Sequence, residues 1–404
     1  MAKSIPQLAK DEIKRQQDTI SLIASENIAP KDIRDLVGSP LMNKYSEGYP
    51  GKRYYGGNVI IDQIEEEAID AAKRLFGAEH ANVQSYSGSP ANLAALLSIL
   101  SFGDTAMGMS LPHGGHLTHG HKVSFSGMAY KFIQYGVDPE TGLLNYDEIE
   151  TMAKIFKPKL IICGATAYPR EIDFARFGKI AKKVGAYLLA DIAHIAGLVA
   201  AGVHPQPFPH ADIVTTTTHK TLRGPRGAII MCKKPLASAI DKAVFPGIQG
   251  GPHNNITAAK ALCLQKAATP EFKKYAEQVI ANAKALADSL KKLDFKLVTG
   301  GTDNHMVLID LTNKNITGKQ AESALEQVGI IVNKNMIPGD LRSPFDPSGM
   351  RLGTPVATSR GMKEPEMTEL AMMIAKVVDK PKSNAVLSAV KKEVAALAKR
   401  FPVS

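Results

Sequence analysis

Cysteine is scarce: three among 404 residues, Cys163, Cys232 and Cys263, far apart and with no C-x-x-C pair. That spacing excludes a disulfide framework, argues against a structural zinc site and fits a reducing compartment. No uninterrupted apolar run approaches the roughly 18 residues of a membrane span. The stretch from Met1 to Lys10 carries no apolar core of signal-peptide length. The expectation is a cytoplasmic protein with no membrane partner. The motifs G-x-x-x-x-G-K-[ST], G-x-G-x-x-G and H-E-x-x-H are also missing, which weakens the P-loop, dinucleotide and zincin readings. There is no internal repeat and no low-complexity segment. Lysine and arginine (49) outnumber aspartate and glutamate (39), for a net charge of +10. The basic residues are scattered, many beside acids on expected helix faces, and no basic block is interleaved with aromatics. A nucleic-acid face is therefore not expected, while a basic surface suits anionic ligands.

The chain is long enough for two or three domains. Residues 1–45 read as a helical arm with a weak apolar stripe that needs a surface to pack on, such as a partner subunit. From Asp62 to Phe76 the apolar spacing is helical, with Gly77 as the stop. An apolar helix at Leu93–Leu100, strands at 160–163, 187–190, 213–217 and 228–232, and a helix at 174–184 then alternate. That alternation predicts an α/β domain over 46–270 with a mostly parallel sheet. After Thr269-Pro270 come a long amphipathic helix and the strand-like runs 295–298 and 306–311. A helix starting at Thr317 has Gln320 in capping-box spacing and Gly329 as its stop. Another strand at 330–332 and a tail helix after Ser383 follow, so 271–404 reads as a smaller α+β domain.

Lys220 is the most informative residue. It follows four threonines and His219, and precedes the basic, Gly/Pro-rich turn Thr221–Gly227. A lysine that forms an imine with an aldehyde cofactor needs such a strand end, near an anion site and a carboxylate. Asp191 ends the apolar run 187–190, with His194 three residues on. A carboxylate at a sheet's carboxyl edge stands where α/β ligand sites form, although capping the next helix explains it equally well. Ser85–Asn92 runs into an apolar helix, and its small residues suit an anion at the helix start. Leu111–His121 holds four histidines after its first two residues, yet lacks a nearby Glu, Asp or Cys set. No metal is expected there. Tyr45–Gly57 packs four tyrosines and Glu47 into a glycine-rich loop, a composition suited to proton transfer and substrate contact. Phe245–Pro252 is a second glycine-rich turn, and Arg351 is a candidate carboxylate clamp.

These segments, in this order from Ala24-Ser25-Glu26-Asn27 to Ser348–Pro355, resemble the serine hydroxymethyltransferase family over nearly the whole chain. The resemblance implies the aspartate-aminotransferase type of pyridoxal-phosphate fold, with a mostly parallel central sheet and a smaller α+β C-terminal domain. It implies reversible conversion of L-serine and tetrahydrofolate to glycine and 5,10-methylenetetrahydrofolate. A folate-independent β-hydroxy-amino-acid aldolase on the same scaffold is the alternative. It further implies that Lys220 binds pyridoxal phosphate, that Asp191 pairs with the pyridine nitrogen, and that His194 approaches the phenolic oxygen. His116 stacks on the ring, and Thr217 and His219 support the lysine. Ser87, Gly88 and Ser89 bind the phosphate, with Gly251 from the neighbouring subunit. Thr166 stands where many relatives carry serine, and keeps the hydroxyl. Ser25 and Arg351 hold the substrate carboxylate; Tyr45, Glu47 and Tyr55 come from the partner chain, with Glu47 the acid/base group. Leu111, Leu117 and Asn335 are the folate-side positions. Few residues follow the core and the long insertions of animal relatives are missing, so a bacterial-type homodimer with shared active sites is expected.

Overall fold

The fold is that of a computed structural model, which describes residues 3–403. Two compact units emerge. The larger, Ala29–Ala276, is built on seven strands: β1 (His80–Asn82), β2 (Thr105–Met109), β3 (Lys131–Tyr135), β4 (Leu160–Cys163), β5 (Tyr187–Asp191), β6 (Ile213–Thr217) and β7 (Ala228–Cys232). Their spatial order is β1-β7-β6-β5-β4-β2-β3. Only β7 runs antiparallel to its neighbours. The central strands are apolar or threonine-rich and buried from end to end in β4, β6 and β7. That composition belongs to a sheet covered on both faces. One covering element is α1 (Gly88–Ile99), whose Ala94, Ala95 and Leu96 pack with Ile162, Leu189, Ile213 and Ile230. Asp191 of β5 lies in register with Thr215 of β6, so the carboxyl ends of these two strands stand side by side. This edge is where a parallel sheet offers its loops to a ligand.

The second unit joins the chain up to Ile28 with Glu277 onward. Here β8 (Lys296–Leu297), β9 (Met306–Asp310), β10 (Asn333–Asn335) and β11 (Gly349–Gly353) form an antiparallel sheet in the order β8-β9-β11-β10. Among the described residues of the first 45, helix is confined to Ile5–Asp18, Lys31–Val37 and a 3-10 turn at Pro40–Asn43. Ile20–Ser21 instead pairs in parallel with Ile330–Ile331, which ties the N-terminal arm to this unit. Leu286, Leu290, Leu325, Leu370 and Leu397 bring the unit's helices into one apolar core with Val307 and Ile309. Among the described residues no helix is long and apolar enough to cross a membrane.

Two helix ends follow local chemistry. Gly77 closes Val59–Phe76 in the left-handed region at φ 69°. Thr317 and Gln320 form a reciprocal capping box at the start of Gly318–Val328. Thr317→Ala, which deletes the 3.2 Å bond from the Gln320 N–H to Thr317 Oγ1, is expected to destabilise by about 1 kcal/mol. The readout is a lower urea midpoint, and Thr317→Ser should keep most of the stability.

Candidate active site

Lys220 sits in the turn that joins β6 to β7. The turn is tight: the Thr218 N–H donates to Gly227 O at 3.0 Å and the Gly224 N–H donates to Thr218 O at 2.7 Å. The Thr218 hydroxyl donates to Pro225 O at 2.6 Å. Lys220 Nζ donates to Thr217 Oγ1 at 3.0 Å. That hydroxyl in turn donates to Ala193 O at 3.3 Å, which leaves its lone pairs for the amine. The loop after β5 is laced to the same turn, since Thr221 Oγ1 donates to His194 O at 2.8 Å. His194 itself is buried. Beside Lys220, burial first, then the Lys220 and Arg226 charges, push the His219 pKa down to about 3. Its Nδ1 is buried with no partner within the protein.

Asp191 is the hub. It is buried, yet Asn92 Nδ2 donates to Oδ2 at 2.8 Å and the Ala193 N–H donates to Oδ1 at 3.0 Å. His119 Nε2 lies 3.1 Å from Oδ2. The His116 N–H donates to His119 Nδ1 at 3.3 Å, so a neutral His119 carries its proton on Nε2, facing the carboxylate. Burial raises the Asp191 pKa, but the hydrogen bonds from His119 and Asn92 oppose it, and the carboxyl is held well below the usual range. Asn92 spends its other N–H on Thr118 Oγ1 at 2.8 Å, and its Oδ1 accepts from Thr215 Oγ1 at 2.6 Å. The Thr118 hydroxyl is 2.7 Å from His116 Nδ1, which also accepts the Thr118 N–H at 3.2 Å. The His116 proton therefore belongs on Nε2. Burial pushes its pKa down to about 4, with Asp191 opposing.

The anion cradle lies at the start of α1. Ser87 is its N-cap but makes no side-chain capping bond, so the hydroxyl is not committed to the helix. Gly88 is required sterically: a Cβ there would come within 2.8 Å of Thr217 Cγ2. The cradle is thus pressed against the end of the strand that leads to Lys220. Thr166 belongs to the same neighbourhood as the histidine run, its N–H donating to Gly114 O at 2.7 Å. Leu111 opens a short 3-10 turn there, and Leu117 is 44% exposed. His113 is occupied structurally, accepting the Val137 N–H on Nδ1 at 3.0 Å.

Tyr45, Glu47 and Tyr55 form a second cluster. Tyr45 OH donates to Glu47 Oε1 at 3.3 Å, and the Tyr45 and Tyr55 rings meet edge to face at 5.1 Å. They lie on the Gly250–Gly251 turn, where a Cβ on Gly251 would fall 3.1 Å from the Tyr45 ring. The loop is held from below by Arg53, whose guanidinium binds Glu65 at 2.6 Å and Asp62 at 2.8 Å. It also donates to Ser46 O and Gly48 O. In the other unit, Arg351 is buried on β11 and its Nε donates to Asn333 Oδ1 at 3.2 Å. Burial lowers its pKa to about 10, so it stays charged at neutral pH. Ser25 lies in the turn after Ile20–Ser21, and Asn335 ends β10.

The structure therefore gathers Lys220, Asp191, His194, His116, Thr217, His219 and the serine–glycine cradle at one sheet edge. Sequence reasoning missed Asn92, Thr118, His119 and Thr215. One signal was available: an asparagine flanked by Ala91, Leu93, Ala94 and Ala95 on an apolar helix is a buried polar group in need of partners. An amine, a buried carboxylate, a helix-start cradle and an unpartnered His219 Nδ1 fit a pyridine aldehyde phosphate such as pyridoxal phosphate.

The model of a family described as serine hydroxymethyltransferase matches residues 1–374. A serine hydroxymethyltransferase of Desulfotalea psychrophila is 59% identical over 395 residues, covering 98% of this chain and 93% of that protein.

The His116 environment has a pH signature. Its folded pKa of about 4 lies below the ordinary value of 6.5. Between the two the unfolded chain binds the extra proton, so stability is full above pH 6.5 and falls as the pH drops toward 4. His116→Gln apoprotein should therefore flatten this loss by up to ~1.4 kcal/mol per pH unit. Urea unfolding at a series of pH values measures it; an unchanged slope would refute the neutral, buried imidazole.

Proposed function

The chain belongs to the serine hydroxymethyltransferase family, and from that premise we propose how its own residues carry the reaction. The enzyme transfers the hydroxymethyl carbon of L-serine to tetrahydrofolate, reversibly, giving glycine, 5,10-methylenetetrahydrofolate and water, with pyridoxal phosphate as cofactor. The cofactor, when bound, supplies an electron sink at the amino acid's α-carbon. Lys220 is the amine that holds it, and the Thr217 hydroxyl orients that amine. With the cofactor bound, Asp191 would keep the pyridine nitrogen protonated, His194 would serve the phenolic oxygen, His116 would cover the ring and His219 would support the lysine. Ser87, Gly88 and Ser89 take the phosphate with Gly251 of the partner subunit, and Thr166 offers a further hydroxyl. Ser25 and Arg351 bind the amino-acid carboxylate. Tyr45, Glu47 and Tyr55 of the partner subunit complete the site, with the Glu47 carboxylate moving the proton at the serine hydroxyl. Leu111, Leu117 and Asn335 line the folate. The protein works as a cytoplasmic homodimer.

The observation that carries this reading is the Lys220 amine 3.0 Å from Thr217 Oγ1, on a strand in register with the one that ends at Asp191. A folate-independent aldolase would use the same cofactor residues; the family match over residues 1–374 favours the transferase.

Lys220→Ala removes the only atom able to bond the cofactor's aldehyde at this position. The variant should lose borohydride-trappable cofactor and serine turnover, while still binding cofactor noncovalently. Normal trapping at another lysine with normal turnover would sink the assignment. Glu47→Gln is expected to depress folate-dependent serine turnover far more than cofactor binding. Mixed dimers of Glu47→Gln and Lys220→Ala chains should regain activity, because one of their two sites is wild type at both positions. Verified heterodimers with cofactor bound and no recovered activity would place Glu47 in its own chain's site or deny its role.

A further inference from the structure

Lys260 takes no part in the chemistry proposed above, yet it is 1% exposed and among the largest fully buried side chains. It projects from α2 (Asn254–Ala267). Its Nζ donates to Val83 O at 2.6 Å, Ser85 O at 2.9 Å and Ala228 O at 2.9 Å. A neutral amine has two N–H groups, and three carbonyl acceptors call for three, so this is an ammonium. Burial works against the charge and pushes its pKa down to about 7, with Glu65 opposing. The three carbonyl dipoles supply the compensation that a buried cation needs.

The carbonyls are not random. Val83–Ser85 follows β1 and lies outside any strand, running directly into the Ser87–Ser89 cradle. Its carbonyls are taken up by side chains in alternation, and Ser85 O also accepts the Ala228 N–H at 3.2 Å. Lys260 takes the odd carbonyls, Val83 and Ser85. Gln249 takes the even position, with Nε2 donating to Gln84 O at 2.9 Å and Oε1 accepting the Tyr86 N–H at 3.1 Å. The third carbonyl, Ala228, is the first residue of β7, where the Lys220 turn ends. One ammonium thus bridges the stem of the phosphate cradle and the stem of the lysine turn. Gly227, between that turn and β7, is shaped to it: a Cβ there would come within 2.4 Å of Lys260 Cε.

We propose that Lys260 is a positioning residue, a built-in cation that holds the Ser87–Ser89 cradle and the Lys220 turn in the spacing one cofactor requires. The proposal rests on the cofactor reading above. Lysine supplies here what a bound monovalent cation supplies elsewhere, three-fold carbonyl coordination, but tethered to a helix and independent of the metal cations in the medium.

The test measures binding of pyridoxine 5′-phosphate to the apoprotein by calorimetry. This ligand has no aldehyde, so it reports the cradle without the Lys220 bond and does not react with added amines. Lys260→Met keeps the stem and deletes the charge; it should weaken binding at least tenfold. Lys260→Ala should do the same, with propylammonium restoring much of the affinity and 1-propanol, similar in size but uncharged, restoring none. Gly227→Ala keeps the ammonium but displaces it, so it should also weaken binding, and it serves if the Lys260 variants do not fold. Unchanged affinity in Gly227→Ala or in folded Lys260→Met, or equal rescue by the alcohol, would overturn the role of Lys260 while leaving the cofactor reading intact. Wild-type apoprotein that does not bind pyridoxine 5′-phosphate would overturn both.

Discussion

Asp191 is ionised inside the protein, where a lone carboxylate would be driven to take up a proton. It stays charged because Asn92 and His119 meet one oxygen and the Ala193 N–H meets the other. The rest of the large unit's site follows from that constraint. Asn92 can reach Asp191 only if α1 packs flat on the sheet, and that packing also puts the helix start, with its serines, beside β6. His119 can reach it only if the histidine run folds back over the sheet edge, which carries His116 along. Thr215 and Thr118 then close the network by satisfying the remaining amide groups of Asn92. A half-satisfied buried network costs more than an apolar core, so these partners stand or fall together.

A different kind of hold governs the tyrosine loop. Tyr45 and Tyr55 are exposed, yet the hairpin beneath them is pinned by Arg53 to Glu65 and Asp62. Gln84 donates both to Glu65 Oε1 and to Gly48 O. Ser46 Oγ adds a buried 2.6 Å bond to Asn254 Oδ1. The stems of the loop are therefore rigid while its side chains remain open to a ligand or to another chain. Exposed side chains on a fixed backbone are what the shared site proposed above requires.

Element by element, the alternating pattern from Phe174 to Cys232 was plain in the sequence because each strand there is a short apolar or threonine run and the helix has a clean apolar stripe. The Thr317 capping box and the Gly77 stop were plain for the same reason: both are decided by residues within one turn of chain. Less legible was β2, whose Thr-Ala-Met-Gly-Met lacks a strong strand signature. Its place in the sheet comes from pairing with β3 and β4, not from local preference. Nor is Ile20–Ser21 readable as a strand, since its partner lies at Ile330–Ile331.

The sequence by itself determined that Lys220 stands at a strand end, that Asp191 ends the neighbouring strand, and that Ser87–Ser89 opens a helix. These are facts of local order, and local order follows from covalent neighbours. The tertiary structure alone decided that Asn92 and Thr215, 123 positions apart, share a hydrogen bond, and that Lys260 meets carbonyls 177 and 32 positions away. A buried amide or ammonium accepts any well-placed oxygen, so its residue type announces a need for partners without naming them. Only packing, which brings distant carbonyls and hydroxyls within 3 Å or so of one another, selects which ones answer.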